Sequence, residues 1–246
     1  MENEDYVIKI LNHYLELAKN KEQENYKNLS WDEYRLQFDN DAKYYFEEIF
    51  KKQENLKKEA LNADTIISFW TPYCRLLSLE AGWNVYNNKK NVVNLTNLIR
   101  QINNPHKNKY TPKINEINKK INEFAKVYYT QGNYMLLPKR EMNNQRFRIT
   151  EDRIDSTLYE CFDKGALAKF FNSNEELSSW IMEEKLNIMF KDNKILKENL
   201  EWFIPNEDKP KWISEMNVEE IYKYLKKATE FINKRNEIYL KENILV

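Results

Sequence analysis

A mostly α-helical fold follows from three features of the sequence. Glycine is scarce, with three in 246 residues, whereas sheet-rich and dinucleotide-binding folds need it at their turns. Apolar residues return at three- and four-residue steps through most of the chain. Capping signals, a Ser, Thr or Asn set just ahead of a periodic run, open one stretch after another. The expected architecture is an irregular multi-helix assembly of about eight or nine helices, interrupted by a short central β-hairpin or extended arm near residues 127–138.

In order along the chain, Tyr6, Ile10, Leu11, Tyr14, Leu15, Leu17 and Ala18 recur at three- and four-residue steps in an amphipathic first helix, which also carries His13. Ser30 with Glu33 forms a capping box, so a helix is expected from Trp31, and Tyr44–Leu61 extends or succeeds it. An apolar run from Asn62 to Trp70 leads to Thr71-Pro72. This pair reads as an N-cap followed by a proline where no amide is needed, and Gly82 offers a left-handed stop. Val92–Ile102 is a short helix ended by Asn103-Asn104-Pro105. Thr111-Pro112 repeats the start signal ahead of the stripe Ile114, Ile117, Ile121, Phe124 and Ala125.

Val127-Tyr128-Tyr129 is β-prone, Gln131-Gly132-Asn133 is a turn, and Tyr134–Leu137 is an apolar segment closed by Pro138. Thr150 then reads as an N-cap, with Glu151 and Asp152 in the first turn, where the helix dipole favours acids. Ile154, Leu158, Cys161 and Phe162 face a core until Gly165. Ser173 with Glu176 caps a helix through Leu177, Trp180, Ile181, Leu186 and Phe190. The segment Glu201–Trp212 carries two prolines and reads as a connector. Asn217 with Glu220 opens a long last helix through Ile221, Tyr224, Leu225, Ala228, Phe231 and Ile238. We expect one helical domain over 1–246, with a point of subdivision near 105–111.

A hydrophobic share of 41% and an aromatic share of 14% exclude a disordered chain. Lys+Arg and Asp+Glu both number 39, so no net field draws the molecule to nucleic acid or to a membrane surface. The acidic N-terminus MENEDYVIKIL lacks the features of a signal peptide, and no run is long and apolar enough to span a bilayer. The expected location is cytoplasmic. Cys74 and Cys161 are far apart, have apolar or aromatic neighbours, and read as buried free thiols.

Chemistry-bearing motifs are sparse. His13 and His106 have no companion at helical spacing and the two cysteines complete no tetrahedral set, so neither a metal nor a cofactor is expected. Acid pairs such as Asp152 with Asp155, or Glu183 with Glu184, fit solvated faces and helix dipoles better than a cation site. Neither a phosphate-cradling glycine motif nor a nucleophile elbow occurs, and the sequence leans away from an enzyme.

Two groups of residues stand out as binding candidates. Asn143, Arg146, Arg148 and Arg153, with Tyr134, Lys139, Arg140 and Asn144, form a local basic patch. Arginine forks suit phosphate oxygens there and a tyrosine supplies a stacking face. The alternative is an internal network in which Arg146 and Arg153 pair with Glu141, Asp152 or Asp155. Trp202, Phe203 and Trp212 lie in the proline-bearing connector, where an exposed aromatic patch would form a protein interface.

The central stretch carries two partial resemblances. Gly132, Asn133, Pro138, Asn143, Arg146, Asp152, Arg153, Asp155, Thr157 and Leu158 reproduce a G-N, Pro, N-x-x-R and D-R-x-D-x-T-L series. That series resembles a bacterial family of unknown function over this part of the chain, and the resemblance implies a shared fold. GNYMLLPKREMNN is also similar to the G-N-x-x-L-L element and downstream Asn of HNH-type nucleases in modification-dependent restriction proteins. Those nucleases carry an acid–His pair upstream, whereas His106 here follows Pro105.

The sequence therefore points first to a non-catalytic protein that binds another protein. Dense Asn, Lys, Ile and Tyr usage fits an A/T-rich genome and suggests a setting in phage–host conflict. The second reading is nucleic-acid binding through residues 139–153, and the third is a divergent HNH-like metal-dependent nuclease.

Overall fold

The computed structural model describes residues 5–13, 63–82, 111–139, 141–206 and 209–244. Within them the chain is mostly helical, with seven helices, short 3-10 turns and two small antiparallel strand pairs. The helices expected from Trp31, over Tyr44–Leu61 and over Val92–Ile102 lie outside the described residues. The chain divides into two compact units, one drawn from Met1–Asn40 and Phe69–Lys126, the other from Asp41–Ser68 and Val127–Val246.

In the first unit, α1 covers residues 6–13, α2 is Trp70–Glu80 and α3 is Thr111–Tyr128. Asp5 caps α1, its carboxylate accepting the Ile8 amide at 3.0 Å. The Tyr6 amide donates to Asn122 Oδ1 on α3 at 2.8 Å. Val7, Ile10 and Leu11, Leu76 and Leu77, and Ile114, Ile117, Ile121 and Phe124 are all buried, so each helix turns its periodic stripe inward. Phe69 stacks parallel to Phe124 at 6.4 Å, and the Tyr73 hydroxyl donates to Asn118 at 3.0 Å.

Helix α2 starts one residue before Thr71, with Phe69 as its N-cap and no side-chain cap bond. Pro72 sits inside the first turn, where the amides have no intrahelical partner, so a proline fits at any of these positions and does not by itself mark the start. The expected stop is present, as Gly82 has φ +67° just after the C-cap Ala81.

Among the described residues the second unit starts with β1, Ala63–Thr65, paired antiparallel with β2, Tyr134–Leu136, in the register Ala63↔Leu136, Asp64↔Met135, Thr65↔Tyr134. The extended segment expected near 127–138 is thus present, but its partner lies far back in the sequence. Val127 and Tyr128 complete α3, and a 3-10 turn, Gln131–Asn133, leads into β2. Asn133 is fully buried and fixes this junction. Its amide group donates to the Tyr128 carbonyl at 2.9 Å, its Oδ1 accepts the Ile67 amide at 3.2 Å, and its backbone carbonyl accepts the Ile66 amide at 2.7 Å.

After β2 come α4, Glu141–Thr150, α5, Ile154–Cys161, α6, Asn174–Glu183, the two-residue strands β3, Pro205–Asn206, and β4, Lys209–Pro210, and finally α7, Val218–Ile244. Two capping signals hold, although the helix expected to run through Leu186 and Phe190 ends at Glu183 and those two residues flank the 3-10 turn Asn187–Met189. Ser173 Oγ accepts the Glu176 amide at 3.3 Å, and Asn217 and Glu220 exchange amide–side-chain bonds of 3.0 and 2.9 Å.

Thr150 does not cap α5 but ends α4. Its hydroxyl turns back to the Arg146 carbonyl at 2.6 Å and lies 3.1 Å from the Thr157 hydroxyl. Glu151 and Asp152 consequently form the bend itself, both with left-handed φ of 53° and 54°, and Arg153 becomes the N-cap of α5. The Glu151 carboxylate then spans to the Ile213 amide at 2.7 Å, so an acid expected at a helix start serves the short turn Ile213–Glu215 instead.

Candidate functional site

The basic patch read from the sequence does not assemble on the surface. Most of residues 139–153 form helix α4 rather than an irregular arm, and Arg146 and Arg153 are turned inward at 0% and 1% exposure. Tyr134 is buried on β2, Asn143 is half-buried, and Arg148 and Lys139 are exposed. Arg140, the side chain of Asn144, and His106 of the nuclease reading lie outside the described residues. With Arg146 and Arg153 enclosed and paired, the proposed phosphate forks are not available to a nucleic acid in this fold.

The internal network is what these arginines build. Arg146 forms an ion pair with Asp64 of β1 and donates to the Thr65 and Ile66 carbonyls at 2.7 and 2.9 Å and to the Thr157 hydroxyl at 2.9 Å. Arg153 grips Asp155 through Nε at 3.2 Å and Nη2 at 2.7 Å, donates to the Lys211 carbonyl, and lies 4.9 Å from the centre of the Tyr224 ring. Asp155 also accepts the Ser156 and Phe203 amides at 2.9 and 3.2 Å, so this buried carboxylate is saturated. Among the sequence alternatives, Asp155 is the partner of Arg153 and Asp152 lies 3.9 Å from Arg146, while the carboxylate closest to Arg146 belongs to Asp64, which the sequence reading did not name.

A third buried arginine was also missed. Arg235 on α7 is fully enclosed and donates to the carbonyls of Gly132, Tyr134 at 3.0 Å and Glu184 at 2.7 Å, and to the Tyr239 hydroxyl at 2.9 Å. A signal existed, because Arg235 continues the spacing of Leu225, Ala228 and Ile232 along the apolar face of α7. Beside it, burial pushes the Glu184 carboxyl up to about 7, while Arg235, with Nη2 3.9 Å away, pulls in the opposite direction.

The connector is packed rather than loose. Phe203 is buried against Tyr224 and Phe231 at 5.7 and 5.8 Å, which corrects the expectation of an exposed Phe203. Trp202 is half-buried with its ring 5.2 Å from Tyr159, and Trp212 is half-buried with its amide donating to Glu215 at 3.1 Å. The connector cannot hang free because the Phe203 amide and the Lys211 carbonyl at its two ends are both held by the Arg153–Asp155 pair.

That anchoring opens a groove of about 370 Å³ between the 188–205 segment and α7. Trp202, Phe203 and Phe231 supply its aromatic surface, Met189, Leu200 and Pro205 add apolar surface, and charged side chains from both sides line it as well. Trp212 does not line it. A mixed lining of this kind suits the burial of an apolar group carried by a polar ligand.

Reactive chemistry is not concentrated at this groove. Among the described residues no three His, Cys, Asp or Glu side chains cluster to hold a metal. Cys74 and Cys161 are free and buried, and burial pushes the Cys161 thiol far above its ordinary range. No helix among the described residues is long and apolar enough to cross a membrane. Comparison with known protein families, with curated proteins and with solved structures finds no match for the chain.

Proposed function

We propose that this chain is a non-catalytic protein-binding protein and that the groove beside Trp202 receives an apolar side chain from a segment of its partner. The observation that carries this reading is a half-buried tryptophan lining an open groove whose opposite wall is a long, well-capped helix. Such a tryptophan gains most from a partner that completes its burial, and filling the site with one large apolar side chain contributes roughly 1.5–3 kcal/mol. The rigid setting helps, since Phe203 and Phe231 are already packed and little order is lost on binding. The phage–host setting suggested by the composition belongs to this same proposal.

The test is affinity capture from native lysate with quantified stoichiometry, comparing the wild type with Trp202→Ala and with Trp212→Ala. The expected result is a stoichiometric partner that Trp202→Ala loses at least tenfold and Trp212→Ala keeps. Loss of no partner on Trp202→Ala, or the absence of any stoichiometric partner, would sink the proposal.

A further inference from the structure

We infer that the groove selects an acidic segment of the partner, in which an aromatic or large aliphatic anchor is flanked by Asp or Glu. This inference rests on the groove reading above and adds the chemistry of what enters.

Three lysines, Lys191, Lys227 and Lys234, line the groove with the apolar residues. Among the described residues, none of the three ammonium groups has an ion-pair or hydrogen-bond partner. Other lysines of the same unit are engaged, Lys211 with Glu220 at 2.8 Å and Lys185 with Glu242 at 2.8 Å. Two carboxylates share the groove, Glu201 and Glu230. Glu230 sits on α7 between Lys227, one turn before it, and Lys234, one turn after it, so the charge along that wall remains positive.

A fourth cation, Lys197, is linked to the groove through Tyr159. Lys197 Nζ lies 4.0 Å from the centre of the Tyr159 ring, and that ring packs on Trp202. An apolar anchor in the groove would therefore have the ammonium groups of Lys191, Lys227 and Lys234 beside its flanking residues. Carboxylates there gain attraction without displacing an existing ion pair, whereas basic flanks meet like charge. Flexible lysines without a planar fork suit scattered carboxylates more than a fixed phosphate geometry.

The experiment pans a random dodecapeptide display library in parallel on the full-length chain, on Lys227→Glu/Lys234→Glu and on Trp202→Ala, each checked for a native circular dichroism spectrum. All three positions are at least partly exposed, so the fold tolerates the changes. The wild type is expected to enrich peptides with one large apolar residue and a net negative charge. Their affinity should fall at least tenfold on the charge-reversed variant and on Trp202→Ala, and should weaken with added NaCl. Enrichment of anchored peptides without an acidic bias would overturn the charge assignment and leave the docking groove standing. Peptides that bind Trp202→Ala as well as wild type, or no enrichment at all, would overturn the groove and the charge assignment together.

Discussion

Arg235 and Gly132 stand 103 residues apart and meet inside the second unit, where the guanidinium donates to the glycine carbonyl. The neighbouring Asn236 takes the Gly132 amide on its Oδ1 at 2.6 Å. Two consecutive residues of α7 thus hold both backbone polar groups of one glycine, and this clamps the turn before β2 to the last helix.

The clamp leaves no room for a side chain. A Cβ at position 132 would lie 2.3 Å from the Ile232 carbonyl and 2.8 Å from Asn236 Oδ1. Gly132→Ala should cost about 3 kcal/mol by forcing backbone apart. Gly82→Ala meets open space and pays only for its φ of +67°, about 1 kcal/mol. Urea unfolding of the two variants should separate them, and equal losses would contradict the close approach.

Removing the Arg146 guanidinium takes the ion-pair partner from Asp64, which is 4% exposed and keeps the Thr65 amide at 2.7 Å, and takes this donor from the Thr65 and Ile66 carbonyls. Arg146→Met should destabilise by about 3–5 kcal/mol, and adding Asp64→Asn should recover part of it. Arg148→Ala, on the exposed side of the same helix, should stay within about 0.5 kcal/mol. Thermal denaturation followed by circular dichroism would decide, and comparable effects for Arg146 and Arg148 would refute the buried network.

Glu184 gives a pH signature. Its folded-state value, about 7, lies above the ordinary carboxyl value of 4.5 because burial outweighs the pull of Arg235. The protonated form therefore favours the folded state, and its contribution is fully present below the ordinary value and lost as pH rises through about 7. Lys185, Glu183, Tyr239 and Glu242 are the other charged or titratable groups around this pair. Relative to Glu184→Gln, the wild type should lose about 1–3 kcal/mol of stability between pH 5 and pH 8. A stability difference between the two proteins that does not change across that range would show that Glu184 titrates normally.

Both thiols should be silent in the native protein. Cys74 and Cys161 are 1% and 3% exposed, which shields both from reagent, and burial also holds the Cys161 thiol in its slowly reacting protonated form. Ellman's reagent should label neither within minutes in buffer and both in guanidinium chloride. Rapid labelling of Cys161 in the native state would mean that α5 opens far more readily than its packing implies.

Local chemistry made much of the fold readable. The stripes of α3 and α7, the Ile10 and Leu11 part of the first helix's stripe, the capping box at Asn217, the Ser173 cap and the left-handed Gly82 are short-range features, and each is found where its residues stand, while Tyr14, Leu15, Leu17 and Ala18 lie outside the described residues. Thr150 shows the limit. Its hydroxyl has a local use as an N-cap and a competing use facing Arg146 and Thr157, and only the packed helices favour the second. The candidate site was legible in part, since Trp202 could be singled out as a large aromatic in a connector. The groove itself is made with α7, which approaches only in the folded chain.

The sequence by itself determined that this is a helical protein, because helix periodicity, caps and scarce glycine act within a few residues of one another. The tertiary structure alone decided which polar groups face inward. Three arginines that look alike in a linear reading become buried fasteners of carbonyls from Thr65 and Ile66, from Lys211, and from Gly132, Tyr134 and Glu184. A charge can be buried only where distant segments bring it enough acceptors, and those partners are fixed by the whole fold rather than by neighbours in the chain.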